Sequence, residues 1–245
     1  MKTSLVQLDM CWEDKAATKR RIESLLSSCG SDTDLMIFPE MTLTGFSMNA
    51  DKTSCDDADM EFFASIARRF SCAVIYGAVE NGFNCQRTLD KDGESIACYR
   101  KIHLFSYAGE DNFYSAGSEA LTFKLNGANI TPFVCYDLRF PYLFWEKAAE
   151  TDIFIVNASW PASRSLHWKS LLRARAIENQ AFVIGVNRAG NDPKFNYSGD
   201  SAVYSPLGEA VLECGSAEGI FTAEIDIETV AEARRFFPFQ RDRLR

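Results

Sequence analysis

A thiol, a carboxylate and an ammonium each stand in this chain at the end of an expected strand. Cys135 ends the run Ile-Thr-Pro-Phe-Val-Cys and precedes Tyr-Asp-Leu-Arg-Phe-Pro. A strand that ends in cysteine and turns toward a helix presents its sulfur at the carboxyl edge, where open α/β sheets carry their sites. The next N–H, that of Tyr136, is placed to donate to an oxyanion. A core cysteine would read the same way, because the chain has eight cysteines and free cysteine packs as a small hydrophobe. Glu40, in Met-Ile-Phe-Pro-Glu-Met-Thr-Leu-Thr-Gly-Phe, closes a second buried run and can act as a base. A solvated loop carboxylate is the plainer alternative. Lys101, in Tyr-Arg-Lys-Ile-His-Leu-Phe, ends a hairpin strand, and most lysines are surface charges. Glu110 follows in a Gly109-containing loop with aromatic neighbours, which suits a site wall or an ordinary surface loop.

These types complement one another. A free thiol is only a few per cent ionised near neutrality and needs a base or a cation to become an effective nucleophile. Attack on an amide builds negative charge on oxygen, which needs donors. The chain has two histidines, His103 and His167. A Cys–His pair using His103 stays open as an alternative, with structural roles for both histidines as the plainer one.

The elements that position these groups follow from periodicity. Apolar runs predict strands at Ser4–Met10, Asp34–Pro39, Ala73–Glu80, Asn129–Cys135, Asp152–Ala158 and Ala181–Val186. Helices are expected at Lys15–Ser28, Asp57–Phe70, Pro141–Glu150 and Arg164–Gln180, and a short one at Ile227–Phe236. Two strands flank the turn Asp92-Gly93, and Ser201–Ile225 reads as three strands with a turn at Pro206-Leu207-Gly208. Strands such as Asp152–Ala158 are apolar on both faces, which suggests sheets covered on each side. The expectation is one α/β domain over residues 1–245, with a faint pseudo-symmetry between two βαβ halves.

Hydrophobic residues make up 47% and charged residues 24%, as in a soluble globular protein. The net charge of −8 argues against nucleic acid or an anionic membrane as partner. The start, MKTSLVQLDMCWEDK, has no signal-peptide h-region, and no apolar run reaches the ~20 residues of a membrane span. The cysteines, at 11, 29, 55, 72, 85, 98, 135 and 214, fit no zinc spacing. They read as reduced thiols in a cytoplasm.

Three segments together carry a resemblance. Phe-Pro-Glu40-Met-Thr-Leu-Thr-Gly-Phe, Tyr-Arg-Lys101-Ile-His-Leu-Phe and Val-Cys135-Tyr-Asp-Leu-Arg-Phe-Pro resemble, in order, the three catalytic segments of the nitrilase superfamily of carbon–nitrogen hydrolases. Ala-Gly-Glu110 resembles the family's second glutamate. The likeness continues through Asn157-Ala-Ser-Trp160-Pro, the Leu171–Gln180 segment and Ser198-Gly-Asp-Ser201. Cys-Tyr-Asp-Leu-Arg-Phe-Pro and Trp-Pro-Ala-Ser-Arg-Ser-Leu-His-Trp look most like the omega-amidase branch, which hydrolyses α-keto acid amides such as α-ketoglutaramate and α-ketosuccinamate.

The resemblance implies a four-layer αββα sandwich, a homodimer, a small-molecule amide substrate, and neither metal nor organic cofactor. It implies Cys135 as nucleophile, Glu40 as base, Lys101 as electrostatic stabiliser and Glu110 as positioning group. A substrate carboxylate would need a cation, and Arg139 and Arg164 each follow a strand that ends at the expected site. Phe46, Tyr114, Phe140 and Trp160 are candidate pocket walls. The rival readings are a carbamoylase, an aliphatic amidase, a nitrilase, or a non-catalytic interaction protein on the same fold.

Overall fold

A computed structural model describes residues 1–27, 30 and 32–243. In chain order, β1 (Lys2–Gln7), α1 (Lys15–Ser27), β2 (Leu35–Ile37), a short α2 (Ala50–Thr53) and α3 (Asp57–Phe70) precede the meander β3 (Ala73–Glu80), β4 (Phe83–Leu89) and β5 (Ser95–Arg100). The second half runs β6 (Phe123–Leu125), β7 (Ala128–Val134), α4 (Pro141–Lys147), β8 (Ile153–Ala158), α5 (Ser165–Asn179) and β9 (Phe182–Asn187). A small hairpin, β10 (Ala189–Asn191) and β11 (Asn196–Ser198), precedes β12 (Ala202–Tyr204), β13 (Ala210–Glu213), β14 (Gly219–Glu224) and α6 (Glu228–Phe236).

Local chemistry accounts for the best-defined boundaries. In α3, Asp56 accepts the Asp59 N–H at 2.8 Å and Asp59 accepts the Asp56 N–H at 3.2 Å, a reciprocal cap. The helix buries Phe63, Ile66, Ala67 and Phe70 along one stripe and ends at Ser71, whose φ of 52° stops further propagation. Pro141 opens α4 at a position where a missing N–H costs nothing.

The strands form two six-stranded sheets, ordered β14-β1-β2-β3-β4-β5 and β13-β12-β9-β8-β7-β6. Each has three parallel strands at its centre, β1-β2-β3 or β7-β8-β9, with antiparallel strands outside them. The pseudo-symmetry expected of the two halves is visible in this arrangement. Leu5, Ile37 and Ile75 of one sheet meet Ile130, Ile155 and Ile184 of the other in a shared apolar layer. Helices α1 and α3 cover the outer face of the first sheet, and α4 and α5 that of the second. The molecule is therefore a four-layer αββα sandwich, as expected.

Several boundaries differ from expectation. The first strand stops at Gln7, not Met10, because its partner β14 runs out at Gly219. Helix α4 stops at Lys147, not Glu150, and the Thr151 hydroxyl donates to the Lys147 carbonyl at 2.8 Å. Ser28, the expected end of α1, and Cys29 lie outside the described residues. Among the described residues no disulfide forms, and no helix is long and apolar enough to cross a membrane.

Candidate active site

Three strand ends on one side of the sandwich supply the reactive groups. Glu40 lies just beyond β2, where the chain is clasped against β3. Gly77 donates to the Pro39 carbonyl at 3.2 Å, and Thr42 donates to the Gly77 carbonyl at 3.0 Å. A Cβ at Gly77 would lie 2.4 Å from the Met41 nitrogen, so glycine permits this approach. Lys101 is the first residue past β5, and its N–H donates to the Asn84 carbonyl at 2.8 Å. Cys135 is the first residue past β7 and has a φ of 45°. That left-handed conformation is costly for a residue with a side chain and is held by its surroundings. The buried Asp137 carboxylate accepts the Val134 N–H at 3.1 Å, the His103 N–H at 2.8 Å and the Tyr99 hydroxyl at 2.8 Å, which fastens the turn.

Behind the sulfur is a fully buried polar cluster. Lys101 Nζ donates to Glu40 Oε1 at 2.9 Å and to both Glu110 oxygens, at 3.1 and 2.9 Å. Asn84 Nδ2 donates to Glu40 Oε1 and Glu110 Oε1, each at 2.8 Å. The Ser159 N–H reaches Glu40 Oε2 at 2.9 Å, and the Phe105 N–H reaches Glu110 Oε2 at 2.6 Å. Glu40, Lys101 and Glu110 have no exposed surface.

Electrostatics in this dry cluster set the resting protonation. Burial alone would lower the Lys101 pKa, but the carboxylates of Glu110 and Glu40 more than reverse it, and the ammonium stays charged. The Cys135 thiol is pushed well up, first by burial and then by the Glu40 charge. Lys101 and the Ser159 N–H pull the other way without prevailing. Two carboxylates and one ammonium already leave a negative charge there, so a resting thiolate would add a second. The thiol is therefore protonated at rest beside Glu40, the group placed to take its proton.

The cavity above the sulfur is lined by Glu40, Lys101 and Cys135, with Phe46, Tyr136, Arg139, Trp160 and Arg164 in its walls. The Arg139 guanidinium lies over Trp160 at 4.5 Å and that of Arg164 over Phe105 at 5.7 Å. Phe105, Ser159, Pro161, Phe195 and Tyr197 complete the lining. None of these five was singled out from the sequence, although Phe105 ends the quoted Lys101 segment and Ser159 and Pro161 stand inside the quoted Asn157–Pro161 motif. Asn84 and Asp137 were also missed. Asp137 had a signal in the quoted Cys-Tyr-Asp-Leu-Arg segment, whereas Asn84 had none.

Glu110 lies behind Lys101, in contact with its ammonium as a positioning group would be, and not in the cavity wall. Two expected pocket walls sit elsewhere. Tyr114 is a core residue, not a pocket wall: its hydroxyl donates to the Ser47 carbonyl at 2.7 Å and its ring packs on Met41 and Val79. Phe140 is also a layer back, stacked on His103 at 3.7 Å and edge-on to Tyr136 at 5.2 Å, because the turn after Cys135 swings it away from the cavity. His103 is held between Asp137, 3.0 Å from its Nδ1, and the Tyr142 hydroxyl at Nε2, and does not line the cavity.

The sandwich and the thiol, carboxylate and ammonium at its strand mouths define an α/β protein of the nitrilase type. The chain belongs to the carbon-nitrogen hydrolase family, whose sequence profile matches residues 2–235. It is thus a carbon–nitrogen hydrolase. It is 33% identical over 246 residues to the 2-oxoglutaramate amidase of Bacillus subtilis (strain 168), covering 96% of this chain and 94% of that protein. It is 36% identical over 249 residues to the omega-amidase YafV of Escherichia coli (strain K12), covering 99% and 96%. Among solved structures, XC1258 from Xanthomonas campestris, a CN-hydrolase superfamily protein with an arsenic adduct in its active site, superimposes with a TM-score of 0.94. That pair shares 35% identity, and the match covers 100% of this chain and 97% of the other.

Proposed function

We propose that this chain is an omega-amidase, which hydrolyses the terminal amide of a small α-keto acid amide such as α-ketoglutaramate or α-ketosuccinamate and releases ammonia. One observation carries the reading. The cavity that holds the Cys135 sulfur, the Glu40 carboxylate and the Lys101 ammonium also holds two arginines, neither ion-paired among the described residues. An amide at one end and a carboxylate at the other match that polarity. The names of the curated relatives above point the same way.

In this reading the Cys135 sulfur attacks the amide carbon as Glu40 takes the thiol proton. Lys101 Nζ and the Tyr136 N–H receive the oxyanion, and one such donor contributes on the order of 2.7–4 kcal/mol. The tetrahedral species collapses, the C–N bond breaks, and Glu40 returns a proton to the departing ammonia. Glu40 then draws a proton from water as it attacks the thioester, which frees the acid and restores the thiol. Glu110 keeps the ammonium aimed and acts through Lys101.

The reading takes residues 1–245 as one catalytic unit, since the inter-sheet core spans Leu5 to Val230. It also includes a homodimer in the cytoplasm. Tyr142 and Trp145 of α4 and Leu166 and Ile177 of α5 are exposed apolar side chains on the helices through which the reading has the subunits pair. The test is ammonia release from α-ketoglutaramate, measured on the wild type and on Cys135→Ala. Turnover that vanishes with the sulfur supports the proposal. Turnover that survives in Cys135→Ala, or occurs only with carbamoyl amino acids or nitriles, overturns it.

A further inference from the structure

Strands β4 and β5 carry two thiols on the face opposite Asn84. The pairing register sets Cys85 against Arg100 and Cys98 against Arg87, so the cysteines are diagonal neighbours on one face of the hairpin. The two sulfurs are close enough to influence each other's ionisation, while Cys85 Sγ itself donates to the Phe83 carbonyl at 3.4 Å. Both line a cleft with Glu80, Arg87 and Arg100, Cys98 partly exposed in it and Cys85 buried behind. The neighbouring Cys85 sulfur is the main reason that Cys98 lies below the ordinary thiol value of 9.0. Burial and Glu80 oppose it, while Arg87 and Arg100 assist. A thiolate-prone sulfur beside a second thiol, reachable from solvent, is the arrangement that oxidants find first.

The other face of the same hairpin holds the polar cluster. Asn84, next in sequence to Cys85, bridges Glu40 and Glu110. Lys101 stands just past β5 and is tied to the Asn84 carbonyl at 2.8 Å. Tyr99, next to Cys98, donates to Asp137 beneath the Cys135 turn at 2.8 Å.

We propose that Cys85 and Cys98 form a dithiol site oxidised by hydrogen peroxide, and that its disulfide form disables the Glu40–Lys101–Cys135 cluster. The second half rests on the amidase reading. The Cys98 thiolate attacks one peroxide oxygen. An S–O bond forms, the O–O bond breaks, and the departing hydroxide takes a proton to become water. The Cys85 sulfur then attacks the sulfenic sulfur, the S–S bond forms, and the hydroxyl leaves with the thiol proton as a second water. Two thiols have supplied two electrons to one peroxide.

Geometry couples the bond to the site. Diagonal neighbours in a sheet hold their Cα atoms about 7–8 Å apart, and a disulfide spans about 7 Å at most. Closure therefore draws β4 and β5 together by up to roughly 1 Å. The bulge between Thr88 and Leu89 lets the hairpin shear. Asn84 and Lys101 move with it, and a misplacement of about 1 Å costs on the order of a hundredfold in rate.

The test begins with Cys135→Ala treated with hydrogen peroxide, thiol-blocked and digested without reductant. Mass spectrometry is expected to find a Cys85–Cys98 cross-linked peptide. In the wild type, peroxide is expected to lower ammonia release by on the order of tenfold to a hundredfold, reversibly with dithiothreitol. The rate of Cys135 alkylation by iodoacetamide, which needs no substrate, is expected to fall with it. Cys98→Ser (or Cys98→Ala) shares any direct oxidation of Cys135, so the difference from wild type isolates the pair. Absence of the cross-linked peptide overturns the site. Equal loss of alkylation rate in wild type and Cys98→Ser overturns the coupling, whether or not the amidase reading holds.

Discussion

Asn84 donates an amide hydrogen to Glu40 Oε1 at 2.8 Å, and neither residue has any surface open to water. Its second hydrogen reaches Glu110 Oε1 at the same 2.8 Å, so one side chain spaces the two carboxylates that share Lys101. Burying like charges this close is tolerable only if donors hold them apart and in place. Asn84→Leu keeps the volume and removes both donors. We expect kcat to fall roughly tenfold to a hundredfold through misalignment, with KM little changed. Unfolding stability, read by urea titration, is expected to fall by about 1–3 kcal/mol. A variant that loses stability but keeps wild-type kcat would show that the amide only supports the fold.

How much of this was legible beforehand depended on where the information sat. The bounds of α3 and β3 matched expectation because their periods are long and their caps local. Glu40, Lys101 and Cys135 were legible because the segments that carry them occur together and in order, each at the end of an expected strand. Asn84 was not, since its partners lie 44 and 26 residues away and nothing nearby marks it. The β10–β11 hairpin, which brings Phe195 and Tyr197 to the cavity, has three-residue strands too short to show a period. Tyr114 and Phe140 misled for the opposite reason: an aromatic ring near a motif looks alike whether it faces a cavity or the core.

The protonated thiol predicts an alkaline weakness. The Cys135 pKa is raised above its ordinary 9.0, so above that pH the unfolded chain gives up a proton that the native state keeps. The unfolded state then binds fewer protons, and stability falls as pH rises. Lys101, also raised, adds a loss of the same sign above 10.5. Cys135→Ser removes the first contribution and leaves the second. Its stability should decline less steeply above pH 9.0, by about 1.4 kcal/mol per pH unit for the one proton. Urea midpoints measured across that range decide it, and parallel curves would mean that the native thiol ionises normally.

Arg139 and Arg164 face the same cavity, and the Arg139 pKa is lowered first by burial and then by the charge of Arg164. An anion between them relieves both effects. Arg139→Ala or Arg164→Ala is expected to raise KM for a carboxylate-bearing amide roughly 10- to 100-fold, the factor that follows from a charged hydrogen bond of about 1.5–3 kcal/mol. The kcat should change little, and turnover of a neutral amide of similar size should not respond. If both substrates weaken alike, the arginines shape the cavity without reading the carboxylate.

Gly77 offers a test of position without touching a reactive group. It sits in mid-β3, where the Glu40 segment crosses so closely that a Cβ would meet the Met41 nitrogen at 2.4 Å and the Glu40 Cα at 2.6 Å. Both contacts are backbone atoms, so no side-chain rotation relieves them. Gly77→Ala must push the Glu40 segment off β3, straining the hydrogen bonds that Gly77 shares with Pro39 and Thr42. Overpacking of this kind costs about 1–3 kcal/mol in stability. The larger effect should be on kcat, by on the order of a hundredfold, because Glu40 moves relative to the Cys135 sulfur and Lys101. Cys135 alkylation should slow in parallel, since the thiol loses its proton acceptor. Should Gly77→Ala fold with normal kcat and a normal alkylation rate, proton transfer at the sulfur would not depend on where the Glu40 backbone is held.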